Sequence, residues 1–328
     1  MFIGVDGGGS KTALILIDRE GAVRAMHVTV GSYYLTLGME ALGDMLSTAV
    51  SALLKKAQVS ADAIEYGYLG LPAYGEDRVA TAQMDSVPLR ILEQGSFVCG
   101  NDMICGWAGS LACRDGINVI AGTGSICYGE RLRVTARCGG WGELFSDEGS
   151  AYWIACRGLD LFSRMSDGRI PRGPFYDLIR QRLNITDDLE LCRHVYVTLA
   201  GDRAGIAQLC PLVVEAAAAS DHAAIAILEH AAEELALLVD TTRTQLGFSA
   251  DERVDVSYSG GVFESVAVLK HFTAVLALRG VYRVCEPAFP PVIGAALYAA
   301  KRSGLPLSEA ALERLRASRD EVEDALRS

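Results

Sequence analysis

The sequence has no close pair of cysteines, no cluster of lysines and arginines, no low-complexity stretch and no apolar run approaching the length of a membrane span. Each absence narrows what the chain can be. Its nine cysteines are scattered from Cys99 to Cys285 without a CxxC spacing. Zinc sites and disulfide frameworks both depend on close, paired spacing, so these read as reduced thiols that serve mainly as small hydrophobes. The 328 residues carry a formal net charge of −11. With no basic cluster to meet phosphodiesters or acidic headgroups, neither nucleic acid nor a membrane is an expected partner, and any phosphate site must be local. The longest helical stretch, residues 223–246, is interrupted by Glu229, Glu233, Glu234 and Asp240. The opening MFIGVDGGG reads as a core strand rather than a basic leader, so the expected location is cytoplasmic.

Half of the residues are hydrophobic, and the chain is longer than one ordinary core organises, which predicts two domains. It opens on FIGVDGGGSKTALILID, residues 2–18. An apolar strand reaches Asp6, turns through Gly7, Gly8, Gly9, Ser10 and Lys11, and continues as a second apolar strand. Three glycines tolerate positive φ, so such a turn can aim successive amides at one anion, with Ser10, Lys11 and Thr12 adding donors. This describes a phosphate cradle. It is not a Walker A loop, because Ser10 precedes Lys11 and strand-forming residues follow. An ordinary hairpin turn, the plainer reading, needs one or two glycines rather than three between an acid and Ser-Lys-Thr.

The pattern then predicts a third strand over 22–30, a helix over 38–58 and a strand over 64–71 that ends in Pro72-Ala73-Tyr74-Gly75. A polar helix starts near Glu76. A short strand over 97–100 delivers Asn101 and Asp102 to the start of a helix over 103–112. From residue 117 the opening motif recurs: an apolar strand, the turn Gly122-Thr123-Gly124-Ser125, and a returning strand. The loop GGWGELFSDEG, residues 139–149, precedes a helical insertion over 150–248, with a helix from Ser150 onward and others near 174–183, 189–199, 204–219 and 223–246. A strand over 254–258 ends at Ser259-Gly260-Gly261, and a last strand covers 281–285. A helix over 292–301 contains Gly294, Ala295 and Ala296, which permit close packing, and residues 308–326 read as one charged amphipathic helix. The expected domains are 1–115, joined by C-terminal helices over 290–328, and 116–289. Four turns thus lie at strand ends, where open α/β sheets bind ligands.

These turns resemble those of the superfamily of actin, the hexokinases and the Hsp70 ATPase domain. The resemblance implies an α/β fold of two ribonuclease-H-like domains facing each other across a nucleotide cleft, with ATP and Mg²⁺ bound. More closely, GVDGGGSKT, the pair ND, AGTGSIC and above all GGWGELFSDEGSAYWI are similar to the N-acetylglucosamine kinase and glucosamine kinase family. That family is grouped with the activator ATPases of benzoyl-CoA reductase and 2-hydroxyacyl-CoA dehydratase. It implies an ATP-dependent kinase acting on a hydroxyl, the 6-OH, of an amino sugar. Asp6, Gly7, Gly8, Gly9, Ser10, Lys11 and Thr12 would hold nucleotide phosphates together with Gly122, Thr123, Gly124 and Ser125, and Gly260 and Gly261 would lie against the adenosine. Asp6 would hold Mg²⁺, directly or through water. Asp102 would be the general base, as phosphoryl transfer needs one carboxylate aligned on the nucleophile. Ser32, Tyr33, Asn101, Trp141, Asp147, Glu148 and Gly149 would form the acceptor pocket.

Plainer roles stand beside these. Asp102 could be a helix N-cap, Asp6 a turn cap, Asp147 and Glu148 acids at a helix N-terminus, and Trp141 filler for its loop. Two acceptor-side segments depart from the family pattern: Tyr33 stands where an Asn is typical, and LGLPAYGED replaces a Ser-Gly turn. Asp147 and Glu148 would also suit an unacetylated ammonium group, which favours glucosamine. The competing class is an activator ATPase with an iron–sulfur cluster between two subunits, for which Cys127 and Cys156 are candidate ligands. The amphipathic ends permit a homodimer.

Overall fold

The apolar runs that open the chain pair as an antiparallel meander of β1 (Phe2–Gly7), β2 (Lys11–Ile17) and β3 (Val23–Val30). β1 then pairs in parallel with β4 (Tyr66–Leu71), and β4 with β5 (Phe97–Asn101), giving the order β3-β2-β1-β4-β5. This is a computed structural model, and it describes residues 1–90, 92 and 96–327. The chain divides into two compact units, Met1–Asp115 with Glu286–Ser328, and Gly116–Cys285.

The second unit repeats the topology. β6 (Gly116–Ala121), β7 (Ser125–Arg131) and β8 (Val134–Gly139) form the meander, while β9 (Val254–Ser259) and β10 (Tyr282–Cys285) extend it in parallel. The order is β10-β9-β6-β7-β8. Each sheet is therefore of the ribonuclease-H-like type, and its double occurrence in an α/β chain is the actin-like ATPase fold. The insertion between β8 and β9 runs from helix Ala151–Ser166 to helix His222–Gln245. Ile154, Phe162, Phe175, Val213 and Leu235 from its helices share one buried core with Ile117, Val119 and Val256 of the sheet.

In the first unit both faces of β1 are covered. Ile3 and Val5 pack with Leu42, Leu46 and Leu53 of helix Met39–Ala57. Gly4 faces the opposite way, against helix Pro291–Arg302: a Cβ on Gly4 would lie 2.8 Å from the Val292 carbonyl oxygen. The same helix touches helix Met103–Ser110 through backbone. A Cβ on Gly294 would fall on the Cys105 carbonyl oxygen and the Gly109 amide, and one on Gly109 would lie 2.8 Å from the carbonyl oxygens of Phe289 and Pro290. The small residues at 294–296 thus do what their size suggested.

Three helical expectations change. The stretch 204–219 is two helices, Arg203–Ala207 and Cys210–Ala218, because Pro211 lacks an N–H and crowds the turn before it. Residues 189–199 form one turn of helix, Glu190–Arg193, and then a wider turn, His194–Thr198. The terminal segment is two helices, Glu309–Ala317 and Arg319–Arg327, separated at Ser318. All nine cysteines are reduced thiols. Among the described residues no helix is long and apolar enough to cross a membrane.

If the backbone contact at Gly294 is as close as the geometry requires, Gly294→Val should destabilise the protein by about 3 kcal/mol or more, since neither neighbouring backbone can yield as a side chain could. Chemical denaturation measures it. An unchanged midpoint would show that the helix does not approach Met103–Ser110 this closely.

Candidate active site

In the first unit the parallel strands bring three carboxyl ends together. Asp6 is in register with Gly70, and Leu71 with Asn101. Asp102 follows at once, at the start of helix Met103–Ser110, yet its side chain makes no capping hydrogen bond to the first turn. Asn101 serves there instead: its Oδ1 accepts from the Met103 amide (3.1 Å), and its Nδ2 donates to the Tyr74 carbonyl (3.2 Å). The Asn101 side chain, expected to meet the acceptor, is thus engaged in joining β5 to the turn after β4. Asp102 is released from capping.

Asp6 and Asp102 are both half-buried. Burial, reinforced by the charge of Asp102, pushes the Asp6 carboxyl up to about 8 against the opposing effects of a Cys105 hydrogen bond and Lys11. Burial likewise lifts Asp102 to about 6, opposed by its own amide and that of Met103 and assisted by Glu76. Beside them, Thr12 Oγ1 and Ser32 Oγ are buried without hydrogen-bond partners. Thr12 is in register with Gly7, and Ser32 Oγ occupies the place a Cβ on Gly7 would take. Two carboxylates short of positive charge and two orphaned hydroxyls make an all-oxygen donor set. It fits a hard cation such as Mg²⁺, which takes one or two carboxylates and fills its remaining positions from water and phosphate. The described residues contain no group of three or more His, Cys, Asp or Glu arranged to hold a metal.

The turn between β1 and β2 differs from expectation in one respect. Gly7, Gly8 and Gly9 are not in the left-handed region, and neither are Gly122 and Gly124. Small size serves close approach at Gly7, Gly8 and Gly124, while Gly9 and Gly122 have open space. A Cβ on Gly7 would lie 2.7 Å from the Gly70 carbonyl oxygen, and one on Gly8 would lie 2.9 Å from that of Lys11. The Ser32 amide ties the turn by donating to the Gly8 carbonyl (3.0 Å). Gly9, Ser10 and Lys11 are exposed at its tip, and Lys11 Nζ donates to the Leu326 carbonyl. Tyr33 immediately precedes the short helix Tyr34–Leu37, its ring edge-on to Tyr34.

In the second unit the Gly122–Ser125 turn leans on helix Ala151–Ser166. The Ala151 amide donates to the Gly122 carbonyl (2.8 Å), and Gly122 donates to the Gly124 carbonyl (2.9 Å). Ser125 Oγ donates to the Glu148 carbonyl (2.7 Å), tying the turn to the acidic loop. Ser150, not either acid, caps the helix by accepting from the Trp153 amide (3.1 Å). Gly149 has φ +77°, and a Cβ there would lie 2.7 Å from the Ala231 carbonyl oxygen, so the loop seats against helix His222–Gln245 only with glycine. Gly260 has φ +96° and backs onto the Ala121 carbonyl, while Gly261 has open space around its Cα.

Asp147 is 2 % exposed and ion-paired to Arg203, whose Nε also lies 3.4 Å from Glu143 Oε2. The pair sits over Gly124, where a Cβ would fall on Arg203 Nη2 and lie 2.7 Å from Asp147 Oδ2. Asp147 is therefore not an uncompensated anion. Glu148 accepts from Ser146 Oγ (3.3 Å). Trp141 does not fill the loop: it is 68 % exposed, with the Arg137 guanidinium 5.5 Å from its ring. Nothing local in the sequence marks Arg203, because its partner lies 56 residues away. Cys127 is fully buried in the sheet and its thiol is pushed up to about 12, so it cannot ligate a cluster between subunits. Cys156 is half-buried, raised by burial and hydrogen-bonded by Tyr152.

The raised acids have a consequence for stability. An unfolded aspartate ionises near pH 4. Above that pH the native state holds protons at Asp6 and Asp102 that the unfolded state has released, so stability falls as pH climbs from about 4 towards about 8. In magnesium-free buffer Asp6→Asn should melt higher than wild type at pH 8, with the gap closing towards pH 4. Thermal melts across that range check it, and a lower melting temperature for Asp6→Asn at pH 8 would contradict the strained pair.

Comparison with known proteins places this geometry. A Dictyostelium discoideum N-acetyl-D-glucosamine kinase is 27% identical over 310 residues, covering 91% of this chain and 97% of the relative. A Clostridium acetobutylicum N-acetylmuramic acid/N-acetylglucosamine kinase is 29% identical over 273 residues, covering 81% of this chain and 87% of the relative. A solved Chromobacterium violaceum structure with a provisional N-acetylglucosamine kinase name superposes with a TM-score of 0.71 at 24% identity, covering 90% of this chain and 97% of that one. At that identity it supports the fold. A model of the BadF/BadG/BcrA/BcrD ATPase family matches residues 3–299, and the chain belongs to that family.

Proposed function

We propose that this protein is an ATP-dependent sugar kinase that transfers the γ-phosphoryl group of ATP to the 6-hydroxyl of an amino sugar, with N-acetylglucosamine as the acceptor. The observation that carries the reading is Asp102. It sits at the carboxyl end of β5, free of capping duty, and titrates near 6, so it is ionised at neutral pH while still able to take a proton. The names of the two curated relatives support the same activity.

In this reading the amides and side chains of Gly8, Gly9, Ser10, Lys11 and Thr12 bind phosphate in the first unit, and Gly122, Thr123, Gly124 and Ser125 do so in the second, with Gly260 and Gly261 against the adenosine. Asp6 would hold Mg²⁺, whose chemistry there is to neutralise phosphate charge. Asp102 accepts the acceptor's hydroxyl proton as that oxygen bonds to the γ-phosphorus and the bond to the ADP oxygen breaks. Sugar phosphate, ADP and one proton result. Ser32, Tyr33 and the Leu71–Glu76 turn line the acceptor side of the first unit, and Asp147, Glu148, Gly149 and Trp141 that of the second. The internal neutralisation of Asp147 by Arg203 favours a neutral N-acetylated sugar over an ammonium one. A primary hydroxyl is the least hindered nucleophile on such a ring, which supports the 6-position.

Asp102→Asn keeps the shape and removes the proton acceptor. Turnover should fall about a hundredfold or more while ATP binding stays within a few-fold. In wild type, kcat/KM should rise with pH through about 6 as Asp102 ionises. A variant that keeps over about a tenth of the rate would end the general-base assignment.

A panel of N-acetylglucosamine, glucosamine, N-acetylmuramic acid and glucose, with bare ATPase as control, tests the acceptor. Phosphorus NMR of the product tests the position. N-acetylglucosamine should have the highest kcat/KM and carry phosphate on the C6 oxygen. ATP hydrolysis at the same rate without any sugar would defeat the kinase reading.

A further inference from the structure

The helical insertion reaches the β6–β7 turn through Arg203. This residue opens helix Arg203–Ala207, which is capped by Asp202 accepting from the Gly205 amide (2.8 Å). Ile206 anchors the helix in a small core with Ala155 and Leu209. From that base Arg203 Nη2 donates to Asp147 Oδ2, and Nε faces Glu143 without a hydrogen bond. Gly124 leaves the space in which guanidinium and carboxylate meet.

Asp147 depends on outside support. It sits at φ +64° and is almost fully buried. Burial raises its carboxyl, and Glu143 and Glu148 raise it further. Arg203 is the largest opposing influence, followed by the Ser125 amide. A carboxylate that is to accept hydrogen bonds from sugar hydroxyls must be charged, since protonation turns one acceptor oxygen into a donor. A guanidinium anchored by its helix can secure both the charge and the placement of the one carboxylate oxygen it bonds, because its planar donor group stays protonated and fixed in direction.

We propose that Arg203 is a positioning residue for the acceptor site, holding the Asp147 carboxylate charged and in one orientation beside the β6–β7 turn so that it binds sugar hydroxyls. This rests on reading Asp147 as an acceptor-binding residue. Arg203 itself touches neither sugar nor phosphate in this role. The insertion thereby contributes to acceptor affinity from outside the sheet.

The test uses the full chain with ATP, Mg²⁺ and N-acetylglucosamine, comparing wild type with Arg203→Met, Arg203→Gln, Arg203→Lys and Asp147→Asn, each checked by thermal melt. Arg203→Met should raise KM for the sugar about tenfold to a hundredfold while KM for ATP stays within about threefold. The sugar KM should improve as pH rises, because Asp147 without its guanidinium ionises only at higher pH. Arg203→Lys should recover part of the affinity, and adding Asp147→Asn to Arg203→Met should cost little more. Should Arg203→Met fail to fold, Arg203→Gln carries the same expectation. If Asp147→Asn raises the sugar KM while Arg203→Met or Arg203→Gln leaves it unchanged at every pH, the proposal is overturned and the acceptor role of Asp147 stands. If no variant moves the sugar KM, that role falls and the proposal with it.

Discussion

The backbone-to-backbone contact of helix Pro291–Arg302 with β1 and helix Met103–Ser110 is the constraint on which the first unit depends. Gly4, Gly109 and Gly294 each occupy a position where a Cβ would overlap main-chain atoms of a neighbour. Such a contact has no flexible side chain to absorb error, so it fixes the start of helix Met103–Ser110 relative to the end of β1. Asp102 sits at the first of those places and Asp6 at the second. The geometry of the two carboxylates therefore follows from three missing methyl groups, one of them, at Gly294, far along the chain from both acids.

The two units share a topology and treat their strand-end acids in opposite ways. In the first, burial raises both Asp6 and Asp102, the charge of Asp102 raises Asp6 further, and Thr12 and Ser32 keep hydroxyls without partners. That arrangement costs stability, and in the proposed reading a bound cation with phosphates would relieve it. In the second, Asp147 is matched by Arg203, and Ser125 is spent on the Glu148 carbonyl. One unit leaves its strand-end acids short of positive charge. The other completes its own ion pair and can offer it as a preformed hydrogen-bonding surface.

Much of this was legible because it is local. Alternating apolar residues around Gly-rich turns announce β1, β2, β6 and β7, and Ser150 before an apolar run announces a capped helix. The extra helix break at Pro211 was also within reach of local rules, since proline rarely continues a helix. What failed had non-local causes. In the two Gly-rich turns Gly7 and Gly124 are small for the sake of neighbours, Ser32 and Arg203, not for positive φ, whereas Gly9 and Gly122 have open space around them. Asn101 turned out to be engaged by Tyr74, and Trp141 lies on the surface beside Arg137.

The sequence by itself determined the doubled strand-turn-strand pattern, the family it belongs to, and the chemistry available at four turns, because backbone period and turn composition act over a few residues. Tertiary structure alone decided which acid is free. Asp102 is released because Asn101 caps the first turn in its place, and Asp147 is neutralised because a helix 56 residues away presents Arg203 to it. Charge compensation and desolvation depend on what lies nearby in space, and no spacing in the chain encodes that directly.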